Sequence, residues 1–344
     1  MLLLLACAPP PDASDSADDI DLLTLVTSPG PHHVGYRESF LTYPDPAATQ
    51  DRTLRVAAWY PTDDETGPEA SYFRGSIAAP GVFDGATVTT GTHPLAVFSH
   101  GHQGYAESTA FLMEHLATHG WVVLAPDHTG NTTLDGSDRA TSIYLQRPHD
   151  ISAVIDAAPD LALNVTSDNV FAMGHSFGGY TMFALAGGRY DTAQCPATAS
   201  SFCSTWTDGQ AAMFDAGFLD DRIAAFTAMA PGDSDLFLDD GLAGIGPFLH
   251  MTATEDQGPG SEADVIWFEL SGGENRRVTL DGAGHLSFTA FADQMENVTM
   301  DRDEGFRIID GTVLAWAWAS QGDDRGRPIL DGELTISESA SVTR

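Results

Sequence analysis

A short apolar run at residues 170–173 leads directly into Gly174-His175-Ser176-Phe177-Gly178-Gly179, and no other stretch restricts the fold of this chain as strongly. A G-x-S-x-G pattern in that setting asks for a buried strand, a sharp turn with serine at its tip and a helix behind it. A serine hydroxyl at its ordinary pKa is a poor nucleophile, so the turn is useful only if it lifts Ser176 toward a histidine base and toward backbone N–H donors. The glycines have a mechanical part. A Cβ at Gly174 or Gly178 would crowd the neighbouring strand and helix, while Gly179 lets the helix pack closely. Five residues with three fixed positions also arise by chance in glycine-rich turns around an ordinary serine. The strand before the motif and the helical pattern of residues 180–185 after it favour the nucleophile.

Around this motif, β-like and helical patterns alternate as an open, mostly parallel sheet demands. Residues 37–43, 53–60, 94–98, 121–125, 170–173, 223–230, 246–252 and 277–280 read as strands. Residues 106–119, 149–158 and 304–319 carry the apolar spacing of surface-packed helices, and the last sets Ile308, Ile309, Val313, Leu314 and Trp316 on the side that closes the core. A chain of 344 residues, 42% of them hydrophobic and with no internal repeat, is expected to build one large α/β domain over residues 33–320, with helices on both faces of the sheet. Residues 187–220 read as an insertion over the active-site face, and 321–344 as a C-terminal tail.

The chain has 49 acidic residues against 15 basic ones, all arginine, for a formal net charge of -34. Such a surface repels nucleic acid and anionic headgroups, which argues against a nucleic-acid partner. A salty or extracellular medium and a GC-rich coding sequence account for it equally, and neither bears on the reaction. At the front, Leu4-Leu5-Ala6-Cys7 resembles a bacterial lipobox, in which cleavage before the cysteine leaves Cys7 to carry lipid; no Lys or Arg precedes it, and the apolar run is short. On that reading residues 1–7 are a signal segment, residues 8–32 a disordered acidic tether between membrane and enzyme, and the protein is exported. A cleaved leader on a secreted protein is the equal alternative. No segment approaches the roughly 18 uninterrupted apolar residues of a membrane-spanning helix. In an exported protein Cys195 and Cys203 are expected to form a local disulfide within the insertion.

The second chemical feature is Val97-Phe98-Ser99-His100-Gly101-His102-Gln103-Gly104, a strand running into a loop punctuated by glycine. In α/β-hydrolases the loop after the third strand supplies one oxyanion-hole amide, and the residue after the nucleophile supplies the other. By that pattern the donors here are expected to be the backbone N–H groups of His102 and Phe177, with the His100 side chain expected to hold the loop through hydrogen bonds. His93, His100 and His102 also have metal-ligand spacing. No carboxylate sits at a matching offset, however, and glycines suit a loop that donates backbone N–H groups, so no metal is assigned. In this fold the acid and then the histidine follow the serine. Only His250 and His285 follow the motif. His250 lies in the apolar stretch 247–251 and reads as a packed strand residue, whereas His285 lies in the glycine-rich loop 281–288 and is the expected general base. Asp256, 29 residues before His285, is preferred as the acid over Asp233 or Glu255. This chemistry requires no cofactor, and the acidic loop 256–264 lacks the spacing of a calcium loop.

Taken as a set, several motifs resemble the serine α/β-hydrolases grouped as platelet-activating-factor acetylhydrolase-like or predicted dienelactone hydrolases, over roughly residues 33–320. They are Ser99-His100-Gly101, Ala125-Pro126-Asp127-His128-Thr129-Gly130-Asn131-Thr132, Arg147-Pro148-His149-Asp150-Ile151, the Ser176 motif and Gly284-His285-Leu286-Ser287-Phe288, with Val34-Gly35 and Ala57-Ala58-Trp59-Tyr60-Pro61 near the start. The resemblance implies hydrolysis of small-molecule or polymeric carboxylic esters through an acyl-enzyme on Ser176. It does not imply dienelactone as substrate, because the enzymes named for that activity use cysteine at this position. The neighbouring bacterial cutinases and polyester hydrolases are similar in the elbow, in Ala230-Pro231-x-Asp233-Ser234 and in the acid-to-histidine spacing, which keeps polyester hydrolysis as an alternative. They typically carry tryptophan where this chain has Gly232, so an aromatic platform would have to come from His102 or Tyr105. A non-catalytic binding protein on the same fold would show a broken triad, and none is visible.

Overall fold

The runs Leu95–Ser99, Val122–Pro126 and Val170–His175 are buried at every position, as strands are when helices cover both faces of a parallel sheet. They lie at the centre of a mixed sheet. Its elements, in chain order, are α1 (Leu22–Thr27), β1 (His33–Pro44), β2 (Asp51–Thr62), β3 (Glu69–Tyr72), β4 (Ile77–Asp84), β5 (Leu95–Ser99), α2 (Ala110–Thr118), β6 (Val122–Pro126), α3 (Thr141–Ala157), β7 (Val170–His175) and α4 (Phe177–Leu185). There follow α5 (Asp208–Ala216), β8 (Ile223–Met229), β9 (Phe248–Ala253), α6 (Ala263–Leu270), β10 (Arg276–Leu280), α7 (Arg302–Ser320), α8 (Arg327–Leu330) and β11 (Ala340–Thr343). The computed structural model describes residues 21–136, 140–190, 192, 206–258, 262–294 and 297–344, so the expected lipidation at Cys7 and the disulfide between Cys195 and Cys203 lie outside the described residues.

The strand order is β11-β10-β9-β8-β7-β5-β6-β2-β1-β4-β3. Strands β5 to β10 pair in parallel, and antiparallel pairs flank them at β1/β2, β2/β6, β3/β4 and β10/β11. Successive side chains of a strand point to opposite faces, which divides the core in two. On one face Phe98, Val123 and Phe171 pack with Leu112 and Leu116 of α2 and Val313 of α7. On the other, Val97, Leu124 and Ala172 pack with Ile151 of α3, Phe183 of α4, Phe214 of α5 and Ile266 of α6. The chain reverses its direction of travel across the sheet at β5, which has β6 on one side and β7 on the other. Such a reversal leaves a crevice at the carboxyl ends of the strands.

Several boundaries differ from expectation, each for a local reason. Helix α3 begins at Thr141, not His149, because it tolerates Pro148: the lost N–H frees the Tyr144 carbonyl, which accepts from the Tyr180 hydroxyl at 3.1 Å. The disordered tether expected over 8–32 does not extend through its last part. There α1 buries Val26, whose carbonyl meets the His115 ring at 2.9 Å, and β1 begins at His33. Within residues 321–344, β11 adds the edge strand of the sheet, pairing with β10 from Ala340 opposite Leu280 to Thr343 opposite Arg277. The start of the 187–220 insertion pairs with the segment after β8: Tyr190 forms an antiparallel bridge with Phe237, and the Arg189 N–H donates to the Gly241 carbonyl at 3.1 Å. Tyr190 packs against Tyr180 and Phe237, and Phe214 and Phe218 pack in turn against Tyr190.

Candidate active site

Strands β5 and β7 are hydrogen-bonded neighbours with Ser99 opposite Gly174, so the loops that leave their carboxyl ends meet at the crevice. The chain leaves β7 through Ser176 at φ 55° and ψ -118°. For a non-glycine residue that conformation costs roughly 1–3 kcal/mol and persists only where the surroundings enforce it. They do so here: the Ser176 N–H donates to the Met229 carbonyl at 2.9 Å, and the Ser176 carbonyl accepts from the Gly179 N–H at 2.8 Å. A Cβ on Gly174 would stand 2.1 Å from the Gly178 carbonyl oxygen, one on Gly178 would stand 1.9 Å from that of Ser99, and one on Gly179 would stand 2.4 Å from the Pro231 Cβ. The elbow closes only without these side chains.

His285 opens a short 3-10 turn after β10, and Asp256 follows β9; the two strands are neighbours, with Leu280 opposite Ala253. His285 Nε2 lies 2.8 Å from Ser176 Oγ, and Nδ1 lies 2.8 Å from Asp256 Oδ2. The other Asp256 oxygen accepts from the Gly258 N–H at 3.0 Å. Burial alone would raise the Asp256 carboxyl, but the hydrogen bond and charge of His285 and the Gly258 N–H outweigh it and hold the group below the usual carboxylate range. Asp233 follows β8 in a left-handed turn at φ 63°, and the His285 ring bonds to Asp256 instead. Glu255 engages the histidine loop through its backbone N–H, which donates to the Ala283 carbonyl at 2.8 Å. His250 is a buried residue of β9, its ring facing Trp267.

The loop after β5 is held from below. The His100 ring is fully buried, accepts the His128 N–H on Nε2 at 3.1 Å and donates from Nδ1 to the Gly101 carbonyl at 2.7 Å. Burial, with the cationic Arg147 beside it, keeps that ring far below the usual histidine pKa and neutral. His93 is occupied elsewhere, with its ring nitrogens on Thr89 and the Gly120 carbonyl, so the three histidines with metal-like spacing are not brought together. His102 is half-buried with its ring 6.3 Å from that of Phe177 and its Nδ1 2.9 Å from Asn131 Nδ2. Phe177 is the first residue of α4, whose N-terminus points positive backbone dipoles at the elbow. Tyr105 is buried between Phe73 and Phe291 and offers no open platform; Gly232 is buried too.

Three neighbours carried no role in the sequence reading. His175 donates from Nε2 to the His285 carbonyl at 2.9 Å, and burial next to His285 pushes its pKa down to about 3. Arg147 reaches the carbonyls of His100 and Gly101 from α3. Asp150, fully buried one turn further on, binds Arg52 through both oxygens, accepts from the Tyr43 hydroxyl at 2.6 Å and meets the His128 ring at 2.8 Å. The sequence marked them only as members of motifs, Arg147 and Asp150 in Arg147-Pro148-His149-Asp150-Ile151 and His175 in the elbow, with no contact assigned to any of them.

Residues 80–199, which include the β5 loop and the elbow, match the chlorophyllase family. Cutinase est1 of Thermobifida alba is 33% identical over 132 residues, covering 37% of this chain and 43% of that protein. Cutinase est2 of the same organism is 32% identical over 151 residues, covering 42% and 49%. The chain thus spans less than half the length of these curated relatives in the match. A ferulic acid esterase from Streptomyces cinnamoneus superposes with a TM-score of 0.68 at 20% identity, over 93% of this chain and 99% of that one. With the parallel centre of the sheet, its helices on both faces and the elbow after β7, that likeness identifies the architecture as the α/β-hydrolase fold.

Proposed function

We propose that this chain is a carboxylic ester hydrolase that works through Ser176, His285 and Asp256 and an acyl-enzyme intermediate. The observation that carries the reading is the unbroken hydrogen-bond line from Asp256 through both nitrogens of His285 to a serine held at positive φ. His285 Nε2 takes the Ser176 proton as Oγ attacks the ester carbonyl, while Asp256 holds the proton on Nδ1 and stabilises the imidazolium. The His102 and Phe177 amides receive the charge that develops on the carbonyl oxygen. His285 then gives its proton to the leaving alcohol, and water repeats the sequence to free the acid. The partial matches to two named cutinases and the motif likeness to platelet-activating-factor acetylhydrolase-like enzymes agree in kind with this chemistry. Hydrolysis of p-nitrophenyl butyrate tests it: Ser176→Ala is expected to lower kcat at least ~10³-fold. Equal turnover by the variant refutes it.

A polyester substrate is the second reading, favoured by the cutinase matches. With glycine at 232 and Tyr105 buried, the ring of His102 is the remaining platform candidate in the loop. Release of soluble acid from a polyester film by wild type but not by Ser176→Ala supports it, and an inert film beside rapid hydrolysis of the soluble ester removes it.

A further inference from the structure

Arg147 is a charged side chain with no solvent exposure, and it touches both halves of the proposed oxyanion hole. Its Nη1 donates to the His100 carbonyl at 2.6 Å and to Ser99 Oγ at 3.2 Å. Nη2 donates to the Gly101 carbonyl at 3.0 Å and to Asn131 Oδ1 at 2.9 Å, which also receives Nε at 3.2 Å. The guanidinium carbon lies 4.3 Å from the centroid of the Phe177 ring. Asn131 in turn reaches the His102 ring.

The contact with Gly101 carries the consequence. The Gly101 carbonyl and the His102 N–H belong to one peptide unit, which is planar and trans, so they point in opposite directions. Three donors pin that carbonyl: Arg147 Nη2, the His100 Nδ1–H at 2.7 Å and the Gly104 N–H at 3.0 Å. The His102 N–H is thereby aimed away from Arg147. Gly101 itself lies against the elbow, where a Cβ would stand 3.2 Å from that of Ser176. A cationic donor on the carbonyl also polarises the peptide and strengthens the N–H at its other end.

We propose that Arg147 is a positioning residue of the oxyanion hole: by anchoring the Gly101 carbonyl and packing on Phe177 it fixes the direction of the His102 N–H relative to the amide of Phe177, without touching the substrate. The inference rests on the ester-hydrolase reading above. Because its effect is confined to the charge that develops on the carbonyl oxygen, it is felt in the transition state and not in ground-state binding.

The test is Arg147→Lys and Arg147→Gln, assayed for kcat and KM on p-nitrophenyl butyrate per titrated active site, and for inhibition by phenylboronic acid, which forms a tetrahedral anion on the serine oxygen. Loss of a whole oxyanion donor costs about 10²–10³ in kcat, so a misdirected donor should cost about 10- to 100-fold, with KM within about threefold and the boronate constant rising in parallel with the loss. A merely structural role would lower the fraction of active sites and leave kcat per site unchanged. Per-site kcat within about twofold of wild type, or a kcat loss with unchanged boronate affinity, overturns the proposal. If neither variant folds, Asn131→Ala keeps the guanidinium but removes both the oxygen that receives Arg147 Nε and Nη2 and the link to the His102 ring; a several-fold kcat loss with weakened boronate binding supports the proposal, and unaltered kinetics overturns it. Equal activity of wild type and Ser176→Ala overturns the ester-hydrolase reading itself, whereas an active wild type with unaffected Arg147 variants overturns this inference alone.

Discussion

Replacing Asp256 by asparagine changes almost no volume and reverses the logic of two hydrogen bonds. The side chain is buried, with one oxygen on the Gly258 N–H at 3.0 Å and the other on His285 Nδ1 at 2.8 Å. An asparagine that keeps its oxygen on Gly258 turns its NH₂ toward Nδ1, which must then be unprotonated. The proton moves to Nε2, the nitrogen that faces Ser176 Oγ at 2.8 Å and that has to accept the serine proton. Recovering the productive tautomer means flipping the amide, which strands the Gly258 N–H at about 1–3 kcal/mol and replaces a charge-assisted bond of about 1.5–3 kcal/mol by a neutral one. The sum, roughly 2–6 kcal/mol, corresponds to a kcat lower by about 30-fold to about 10⁴-fold at about 1.4 kcal/mol per decade. KM for p-nitrophenyl butyrate should change little, and thermal unfolding should show an intact fold. Asp233→Asn, in the turn after β8, is expected to retain kcat within about threefold. If Asp256→Asn keeps wild-type kcat, or if Asp233→Asn loses as much, the assignment of the acid is wrong.

Two further substitutions probe the packing of the elbow and the stability of the fold. Gly178→Ala puts a Cβ 1.9 Å from the backbone carbonyl of Ser99, which no rotamer can relieve, so β5 and α4 must separate. A loss above about 3 kcal/mol in urea unfolding is expected, together with lost ester turnover, and a variant within about 1 kcal/mol of wild type contradicts the elbow packing. Asp310→Asn addresses stability alone. Asp310 Oδ1 is buried with no hydrogen-bond partner among the described residues, and burial, with the Glu114 charge adding to it, raises the Asp310 carboxyl well above the usual range. An acid raised by folding binds more protons folded than unfolded, so its stabilising contribution is full below its unfolded pKa of about 3.9 and is lost as pH rises toward the folded value. The asparagine variant should therefore unfold at a higher temperature than wild type at pH 8, with the difference shrinking as pH falls to 4. A difference that does not vary with pH refutes the assignment.

The parts of the site that were legible are those whose chemistry leaves a local mark. Ser176 needed glycine on both sides because two backbones approach within 2.1 Å of where a Cβ would be, and His285 needed a glycine-rich loop at a strand end. Both demands are written within a few residues of the group itself. The central strands were legible for the same reason, since burial on both faces forces an uninterrupted apolar run. What was hidden depends on which strands become neighbours. The extra length of α3 was hidden because Pro148 reads as a stop until Tyr180, on the adjacent helix, supplies a partner for the orphaned carbonyl. The edge strands β3 and β11, and β4 beside β3, bury only alternate residues, or fewer, and their signal is correspondingly thin. Arg147 is the clearest case. Its partners at residues 99–101 lie 46 to 48 positions away, and nothing near it in sequence announces them. They meet because β5 sits between β6 and β7, which brings the loop after β5 beside the elbow and under the helix that follows β6. A residue that acts through the geometry of a distant peptide can be recognised only after the strand order is known, whereas a residue that acts through its own nucleophilicity or basicity carries its signature in the turn that presents it.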